Sequence, residues 1–156
     1  MVIIVVNSWT GNPVGYLSEE IGNNNRLHKE EVVPPSELYQ VYPRYSLALS
    51  STAARNTGVL KNPLYIVNLR SFEIPMSGGL QICQYTDEMA SYFEDGEEIV
   101  FYKNSEEMVE KARYYCSENH ISERSQMRQA AREKAVANHT WYKRFCEIFR
   151  LLGIEE

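Results

Sequence analysis

The residues of this chain with the clearest capacity for chemistry are Arg70 and Glu73, three positions apart in the segment NLRSFEIPMSGGLQICQY, residues 68–85. On a helix, residues three apart share one face. An arginine fork suits bidentate contact with phosphate, and a carboxylate can accept hydrogen bonds from both hydroxyls of a vicinal diol. The pair therefore suits a ligand with diol and phosphate groups. The alternative is an exposed ion pair, which contributes less than ~1 kcal/mol to stability.

Two glycines, Gly78 and Gly79, follow the charged pair and precede an apolar run. Glycine reaches positive φ without strain, and its missing Cβ lets a helix approach a strand closely. The apolar spacing before the glycines predicts a helix over residues 63–77, with a proline in its first turn as helices tolerate. The run after them predicts a strand over residues 80–84.

Strand and helix patterns alternate along the first two thirds of the chain, and the last third is helical. This order predicts an α/β fold of the Rossmann-like, doubly wound class, with a mostly parallel sheet, helices on both faces and a helical C-terminal third. The predicted strands are residues 2–6, 32–33, 46–51, 80–84 and 99–102. Helices are predicted after Ser36, over residues 63–77, after Thr86, after Ser105, over residues 122–139 and after Thr140.

The composition disfavours several classes of protein. The chain has 156 residues, about one ordinary domain, and a formal net charge of −5. Nucleic-acid binders need a clear excess of Lys and Arg, so no nucleic-acid partner is expected. No apolar run approaches the roughly 18 residues of a membrane span. The three cysteines, Cys83, Cys116 and Cys146, form no CxxC pair, which indicates free thiols in a reducing, cytoplasmic setting.

Several common chemistries lack their motifs. The loop after the first predicted strand reads GNPVG at residues 11–15, so its glycines are mis-spaced for a dinucleotide fingerprint. A GxxxxGK[ST] phosphate loop is absent, and no Ser-His-Asp or Cys-His grouping is visible by spacing. No Asp-x-Asp pair occurs, so no metal cofactor is expected.

The predicted topology places the charged pair near a ligand crevice. Doubly wound sheets bind ligands outside the carboxyl ends of their strands. Those ends are expected at residues 7–10, residues 50–61 and Tyr85. The helix with Arg70 and Glu73 follows the second of these loops, so its N-terminal half should face the same crevice, and helix N-termini attract phosphate. The sequence therefore predicts a site for a nucleotide with ribose and pyrophosphate.

The segment KNPLYIVNLRSFEIPMSGGLQICQYTDEMASYFEDGEEIVFYKNSEEMVEKARYY, residues 61–115, resembles the C-terminal, donor-binding domain of group-1 glycosyltransferases with the GT-B architecture. It is most similar to the branch of spore-maturation-protein-like glycosyltransferases. The resemblance rests on RSFEIPMSGG followed by a strand and an acidic helix, and it extends over roughly residues 36–153. It implies a nucleotide-diphosphate sugar as donor substrate and no cofactor, and it leaves the sugar and the acceptor open.

The resemblance also implies residue roles. Glu73 would bond the ribose hydroxyls, and Gly78 and Gly79 would pack close to the nucleotide. The group carries two glutamates separated by seven residues; Glu73 matches the second, and Tyr65 stands where the first would be. Basic residues of the group neutralise the pyrophosphate, and no catalytic residue is assigned here. The candidates for the basic residues are Arg55, Lys61 and Arg70.

The chain is expected to form one domain over residues 1–156, a GT-B C-terminal domain, with the N-terminal acceptor domain absent. Complete activity would then need a second Rossmann-like domain or a partner chain, because both walls of the cleft position the reacting groups. Two functions stay open at this point. One is glycosyl transfer from a nucleotide sugar, and the other is a catalytically silent nucleotide-binding or protein-interaction domain.

Two patterns in the last third allow two interpretations each. Arg124, Arg128 and Arg132 recur every four residues and are flanked by Glu123 and Glu133, which predicts a solvated helix face; the alternative is a face for an anionic partner or the missing domain. The last helix carries an apolar stripe, which predicts core packing; the alternative is an interface to another domain. The stripe consists of Trp141, Phe145, Ile148, Phe149 and Leu152.

Overall fold

Five parallel strands form a single sheet with the order β2-β1-β3-β4-β5. The crossovers between parallel neighbours confirm the predicted doubly wound arrangement. The strands are β1 (Ile3–Val5), β2 (Leu27–His28), β3 (Leu47–Ser50), β4 (Gln81–Gln84) and β5 (Val100–Tyr102). This computed structural model describes residues 3–5, 27–28, 35–50, 52–54, 60–62 and 64–154.

Helices fill the connections and the C-terminal third, and polar side chains cap three of them. Thr86 Oγ1 accepts from the Met89 amide at 3.1 Å, and Thr140 caps the last helix, both as predicted. Asn104, rather than the predicted Ser105, caps the helix that begins at Ser105. The helices are α1 (Leu38–Val41), α2 (Arg70–Met76), α3 (Asp87–Tyr92), α4 (Ser105–Cys116), α5 (Ile121–Asn138) and α6 (Trp141–Leu151).

Side chains that alternate along the central strands pack on opposite faces of the sheet. Leu47 and Leu49 of β3 and Ile82 of β4 pack against α4. Ala48 packs against α1 and α2, and Cys83 packs against side chains from α2, α3 and α5. Because successive strand residues point to opposite faces, helices cover both sides of the sheet. The predicted helices on both faces are therefore confirmed.

The connection from β3 to α2 differs from the sequence prediction. Ala53 and Tyr65 form an antiparallel bridge, flanked by two backbone hydrogen bonds of 2.6 and 2.7 Å between nitrogen and oxygen. A backbone that pairs in this way cannot also form helical hydrogen bonds. For this reason α2 begins at Arg70, and the prediction of a helix from residue 63 is wrong.

Two shorter elements also differ from expectation. The second strand lies at Leu27–His28, where no strand is predicted, and the predicted strand at residues 32–33 lies outside the described residues. The helix after Ser36 has only four residues, with Glu37 and not Ser36 at its N-cap position. Pro43 follows in a 3-10 turn, and proline cannot supply the next helical N–H.

The arginine face of α5 holds other elements in place, and the prediction of a solvated face is wrong for Arg124. Arg124 is 8% exposed. Its guanidinium donates to the carbonyl of Tyr115 and, at 2.7 Å, to that of Ser117, so it bonds the C-terminal end of α4. A cation suits that end because the helix dipole is negative there. Arg124 thus ties α5 to α4.

The next two arginines of the same face bond other parts of the fold. Arg132 Nε donates to the carbonyl of Met76, the last residue of α2, at 3.1 Å. Burial lowers the pKa of Arg128, with the neighbouring Arg124 charge adding to the effect. Its guanidinium donates to the turn that leads into β3. The acceptor carbonyls there belong to Pro43, Tyr45 and Ser46.

Side chains cover the outer edge of β5. The Phe101 amide donates to Asp95 Oδ1 at 2.8 Å, and the Phe101 carbonyl accepts from Lys111 Nζ at 2.6 Å. Asp95 and Lys111 also bond one another at 3.1 Å. This edge clip of Asp95 and Lys111 satisfies both backbone groups that Phe101 turns away from β4, where an edge strand would otherwise leave them open.

The last helix leaves a broad apolar surface uncovered, so the prediction of core packing for its stripe is wrong. None of the side chains of α6 is buried. Arg144 contacts the body of the domain, with its guanidinium 4.4 Å from the ring centre of Phe72. No described helix is long and apolar enough to cross a membrane. The α6 apolar face consists of Trp141, Phe145, Ile148, Phe149 and Leu152, each between 46% and 65% exposed.

Candidate functional site

The charged helix α2 begins at the carboxyl edge of the sheet. From the end of β3 the chain passes through the bridge at Tyr65 and enters α2 at Arg70. Gln84, the last residue of β4, donates from Nε2 to the Tyr65 hydroxyl at 2.8 Å. The segment before α2 therefore lies over the ends of β3 and β4, where doubly wound sheets bind ligands.

Arg70 and Glu73 lie in the first turn of α2, as the sequence predicts, although the helix starts later than expected. Three neighbouring residues of α2, Ser71, Phe72 and Ile74, are buried and fix the orientation of the helix. The opposite side carries Glu73, which is exposed, and Arg70 is half-buried. Glu73 can thus meet a ligand from solvent, while Arg70 is held partly within the fold.

The two glycines after α2 are each required for a different physical reason. Gly78 has a φ of 79° and ends the helix in the left-handed region. At Gly79 a Cβ would lie 2.9 Å from Tyr42 Cβ and 3.0 Å from Ile74 Cγ2, too close for any side chain. The expected close approach is therefore present at Gly79, and the expected positive φ at Gly78; their roles toward a nucleotide stay predictions.

The remaining basic candidates are less well placed by the structure. Lys61 is exposed in a short turn between β3 and the Tyr65 bridge. Arg55 lies outside the described residues. The structure thus brings Arg70, Glu73 and the two glycines together on one short helix and its turn. It leaves the assignment of Arg55 and Lys61 to phosphate as a prediction.

Three buried hydroxyls lie near the end of β3 and the start of α2, and the sequence does not single them out. Ser50 Oγ and Thr52 Oγ1 stand at the end of β3, and Ser71 Oγ stands in the first turn of α2. None has a hydrogen-bond partner within the described residues. A buried hydroxyl without a partner costs about 1–3 kcal/mol, so these side chains are held at a cost in stability. Hydroxyl residues at the end of an apolar strand are the signal that could have revealed them.

The family of this chain follows from comparison with known families. The sequence profile of the glycosyl transferase-like family matches residues 4–150, which include all of α2 and the sheet from β2 onward. The chain belongs to the glycosyl transferase-like family. No curated protein sequence matches this glycosyl transferase-like chain.

Two solved structures share the fold of the glycosyl transferase-like chain. The C-terminal domain of a glycosyl transferase group 1 family protein, LpcC from Francisella tularensis, has a TM-score of 0.63 at 10% identity, covering 90% of this chain and 86% of that chain. A chain of the GtfA/B complex has a TM-score of 0.61 at 15% identity, covering 97% of this chain. The family match shows a glycosyl transferase-like domain, and the two solved structures share its fold. The glycosyl transferase-like chain spans 35% of that GtfA/B chain.

Proposed function

We propose that this domain binds the nucleotide-diphosphate sugar donor of a glycosyltransferase. The observation that carries the proposal is the position of Arg70 and Glu73 on the first turn of α2, at the carboxyl edge of a sheet of the glycosyl transferase-like family. Glu73 accepts hydrogen bonds from the two ribose hydroxyls. Arg70, with Lys61 and Arg55 as further candidates, neutralises the pyrophosphate. Positive charge at this point also stabilises the departing diphosphate during transfer.

The site acts without a metal ion in this proposal. Diphosphate charge in metal-dependent sugar transferases is held through paired aspartates, and no Asp-x-Asp pair occurs in the chain. Among the described residues no group of three or more metal-binding side chains occurs either. Arginine and lysine side chains therefore carry the charge neutralisation.

Calorimetric titration with UDP, GDP and ADP in buffer with EDTA tests the donor site. We expect one of the three to bind with a Kd in the micromolar to low millimolar range, unchanged when Mn²⁺ replaces EDTA. The matching nucleoside, uridine, guanosine or adenosine, should bind more weakly than its diphosphate. Salt should lower the affinity for the diphosphate more than the affinity for the nucleoside, since exposed charges are screened over about 8–10 Å. Absence of binding by all three diphosphates would contradict the proposal, and binding that depends on Mn²⁺ would contradict its metal-free form.

A catalytically silent nucleotide-binding or interaction domain is the second candidate. Tyr65 favours it, because a tyrosine stands at the position of the first of the two glutamates in the group that the chain resembles, and its hydroxyl is already bonded to Gln84. Such a domain would bind the nucleotide but transfer no sugar. Single-turnover assays with a bound nucleotide sugar distinguish the candidates, since only a transferase releases free diphosphate in the presence of acceptor.

We further propose that the α6 apolar face docks a second Rossmann-like domain, which closes the cleft and supplies the acceptor wall. Rings stack along this face, with centroids 5.9 Å apart for Trp141 and Phe145 and 6.3 Å apart for Phe145 and Phe149. A contiguous apolar surface of this kind marks an interaction site. The chain spans about a third of the GtfA/B chain, which leaves ample length in such proteins for another domain.

An uncovered α6 apolar face predicts self-association of the chain on its own. We expect sedimentation velocity to show a concentration-dependent increase in mass between ~5 and ~200 μM, and the double variant Phe145→Gln/Ile148→Gln to abolish it. The matched control is Ile121→Gln/Val136→Gln, which removes two exposed apolar side chains elsewhere. A wild-type chain that stays monomeric throughout, or a control that abolishes association equally, would count against this face as a docking surface.

A further inference from the structure

Tyr42 packs beneath α2, the helix that carries the charged pair. Its side chain is 0% exposed, whereas tyrosine usually keeps its hydroxyl near water or a partner. The side chain packs in one cluster with Ile74 of α2. Its Cβ is the atom that a Cβ at Gly79 would meet at 2.9 Å. The base of the Tyr42 ring therefore rests against the C-terminal end of α2.

The far end of the Tyr42 side chain lies near Arg70. Residues 70 and 74 are four apart, so they share one face of α2 and stand one turn, about 5.4 Å, from each other. A tyrosine side chain is long enough to span that turn. Burial raises the pKa of Tyr42, the Arg70 charge opposes this rise, and the Glu73 charge adds to it. Both members of the charged pair therefore act on this one hydroxyl.

The Tyr42 hydroxyl has capacity for a stronger contact. Its oxygen is fully buried and has no hydrogen-bond partner within the described residues. A guanidinium has five N–H donors, and a hydroxyl oxygen can accept two of them. A small movement of Arg70 toward a ligand can therefore be accompanied by a hydrogen bond from its guanidinium to the Tyr42 oxygen. This bond costs no further desolvation of that oxygen, because the oxygen is already fully buried.

We propose that the Tyr42 hydroxyl positions the Arg70 guanidinium for a diphosphate group, which makes Tyr42 a positioning residue of the donor site. The inference rests on the proposed donor function. A long arginine side chain loses rotamer freedom when it binds a ligand, and a buried partner at one side of the guanidinium reduces that loss. It also explains Gly79, because any side chain at that position would displace the Tyr42 ring and with it the contact to Arg70.

Tyr42→Phe tests the proposal because it removes only the hydroxyl. The free energy of unfolding in urea should stay the same or rise, since a buried polar atom without a good partner is lost. The Kd of the diphosphate found by titration should rise about 3- to 10-fold, the range for one hydrogen bond, while that of the matching nucleoside should not change. The control Tyr115→Phe removes a hydroxyl from a buried tyrosine of α4 and should change neither Kd.

A second measurement needs no ligand. In ¹⁵N-labelled protein the Arg70 Nε–H resonance, assigned through Arg70→Lys, should shift and exchange faster with solvent in Tyr42→Phe than in the wild type. An unchanged Arg70 resonance would refute the contact, whatever the affinities are. A shifted resonance together with equal losses of affinity for diphosphate and nucleoside, or with no loss of affinity for either, would refute the positioning role. If the wild type binds no nucleotide, the donor function fails, and the resonance alone still decides whether Tyr42 holds Arg70.

Discussion

Replacing Glu73 with glutamine is expected to weaken diphosphate binding by about 1.5–3 kcal/mol, roughly 10- to 150-fold in Kd, and to leave the fold intact. Glu73 is exposed on the first turn of α2, so an isosteric replacement disturbs no packing. The amide has one acceptor oxygen where the carboxylate has two, and it cannot accept from both ribose hydroxyls equally. Isothermal titration calorimetry of UDP, or of whichever diphosphate binds, measures the change.

The ribose assignment has its own controls. The loss in Glu73→Gln should shrink for the 2′,3′-dideoxy analogue, because that ligand lacks the hydroxyls in question. Glu88→Gln is the matched variant, since Glu88 is also an exposed acid in the first turn of a short helix, α3, and should leave the Kd unchanged. If Glu73→Gln weakens both ligands equally, or neither, Glu73 does not hold the ribose.

Arg124→Met is expected to lower the free energy of unfolding by about 3–6 kcal/mol, because hydrogen bonds from a charged donor contribute about 1.5–3 kcal/mol each and two are lost. Methionine fills much of the volume of the arginine stem, so the loss reports the guanidinium contacts to the carbonyls of Tyr115 and Ser117. Those buried carbonyls would then lack partners. Urea unfolding followed by circular dichroism measures the effect.

Arg132→Met provides the comparison within the same helix face. Arg132 is exposed and donates only through Nε to the carbonyl of Met76, so the loss should be under ~1 kcal/mol. Similar losses for Arg124→Met and Arg132→Met would mean that the burial of Arg124 does not determine its contribution. A negligible loss in Arg124→Met would mean that water replaces the guanidinium at the end of α4.

Local signals predict most of the sheet and the helix caps. The β-branched run at the N-terminus, the apolar runs of β3 and β4, and the caps Thr86 and Thr140 are each set by residues within a few positions. Alternation of strands and helices then leaves few topologies, and the doubly wound one is correct. The glycine turn after α2 is also local, since a left-handed residue at the end of a helix favours glycine.

The wrong predictions arise where contacts between residues distant in sequence determine the structure. Residues 64–66 pair with residues 52–54 and so do not enter α2, although their spacing suits a helix. The α5 arginines have a helical period, but only the tertiary fold places carbonyl ends of three other segments beside them. Periodicity likewise identifies the apolar stripe of α6 without indicating whether the domain itself covers it.

The candidate site likewise combines residues that local sequence signals reveal with residues that only the tertiary fold brings in. Arg70, Glu73 and the glycines are contiguous in sequence, so their types and spacing are sufficient to propose a ligand. Tyr42 and the hydroxyls of Ser50 and Thr52 come from other elements, and no motif connects them with α2. Only the packing of α1 and β3 against α2 brings these elements together.

The clip of Asp95 and Lys111 has a consequence for crowded conditions. An incoming strand from another molecule could extend the sheet at β5 only by breaking both bonds to Phe101 and separating the ion pair. Nascent or concentrated chains are therefore protected on this side against amyloid-like growth, for which open strand edges are the usual template. A substitution at Asp95 would open the Phe101 amide, whereas Lys111 would keep its bonds to Glu107 and to the Phe101 carbonyl, so one carboxylate protects the amide side of this edge.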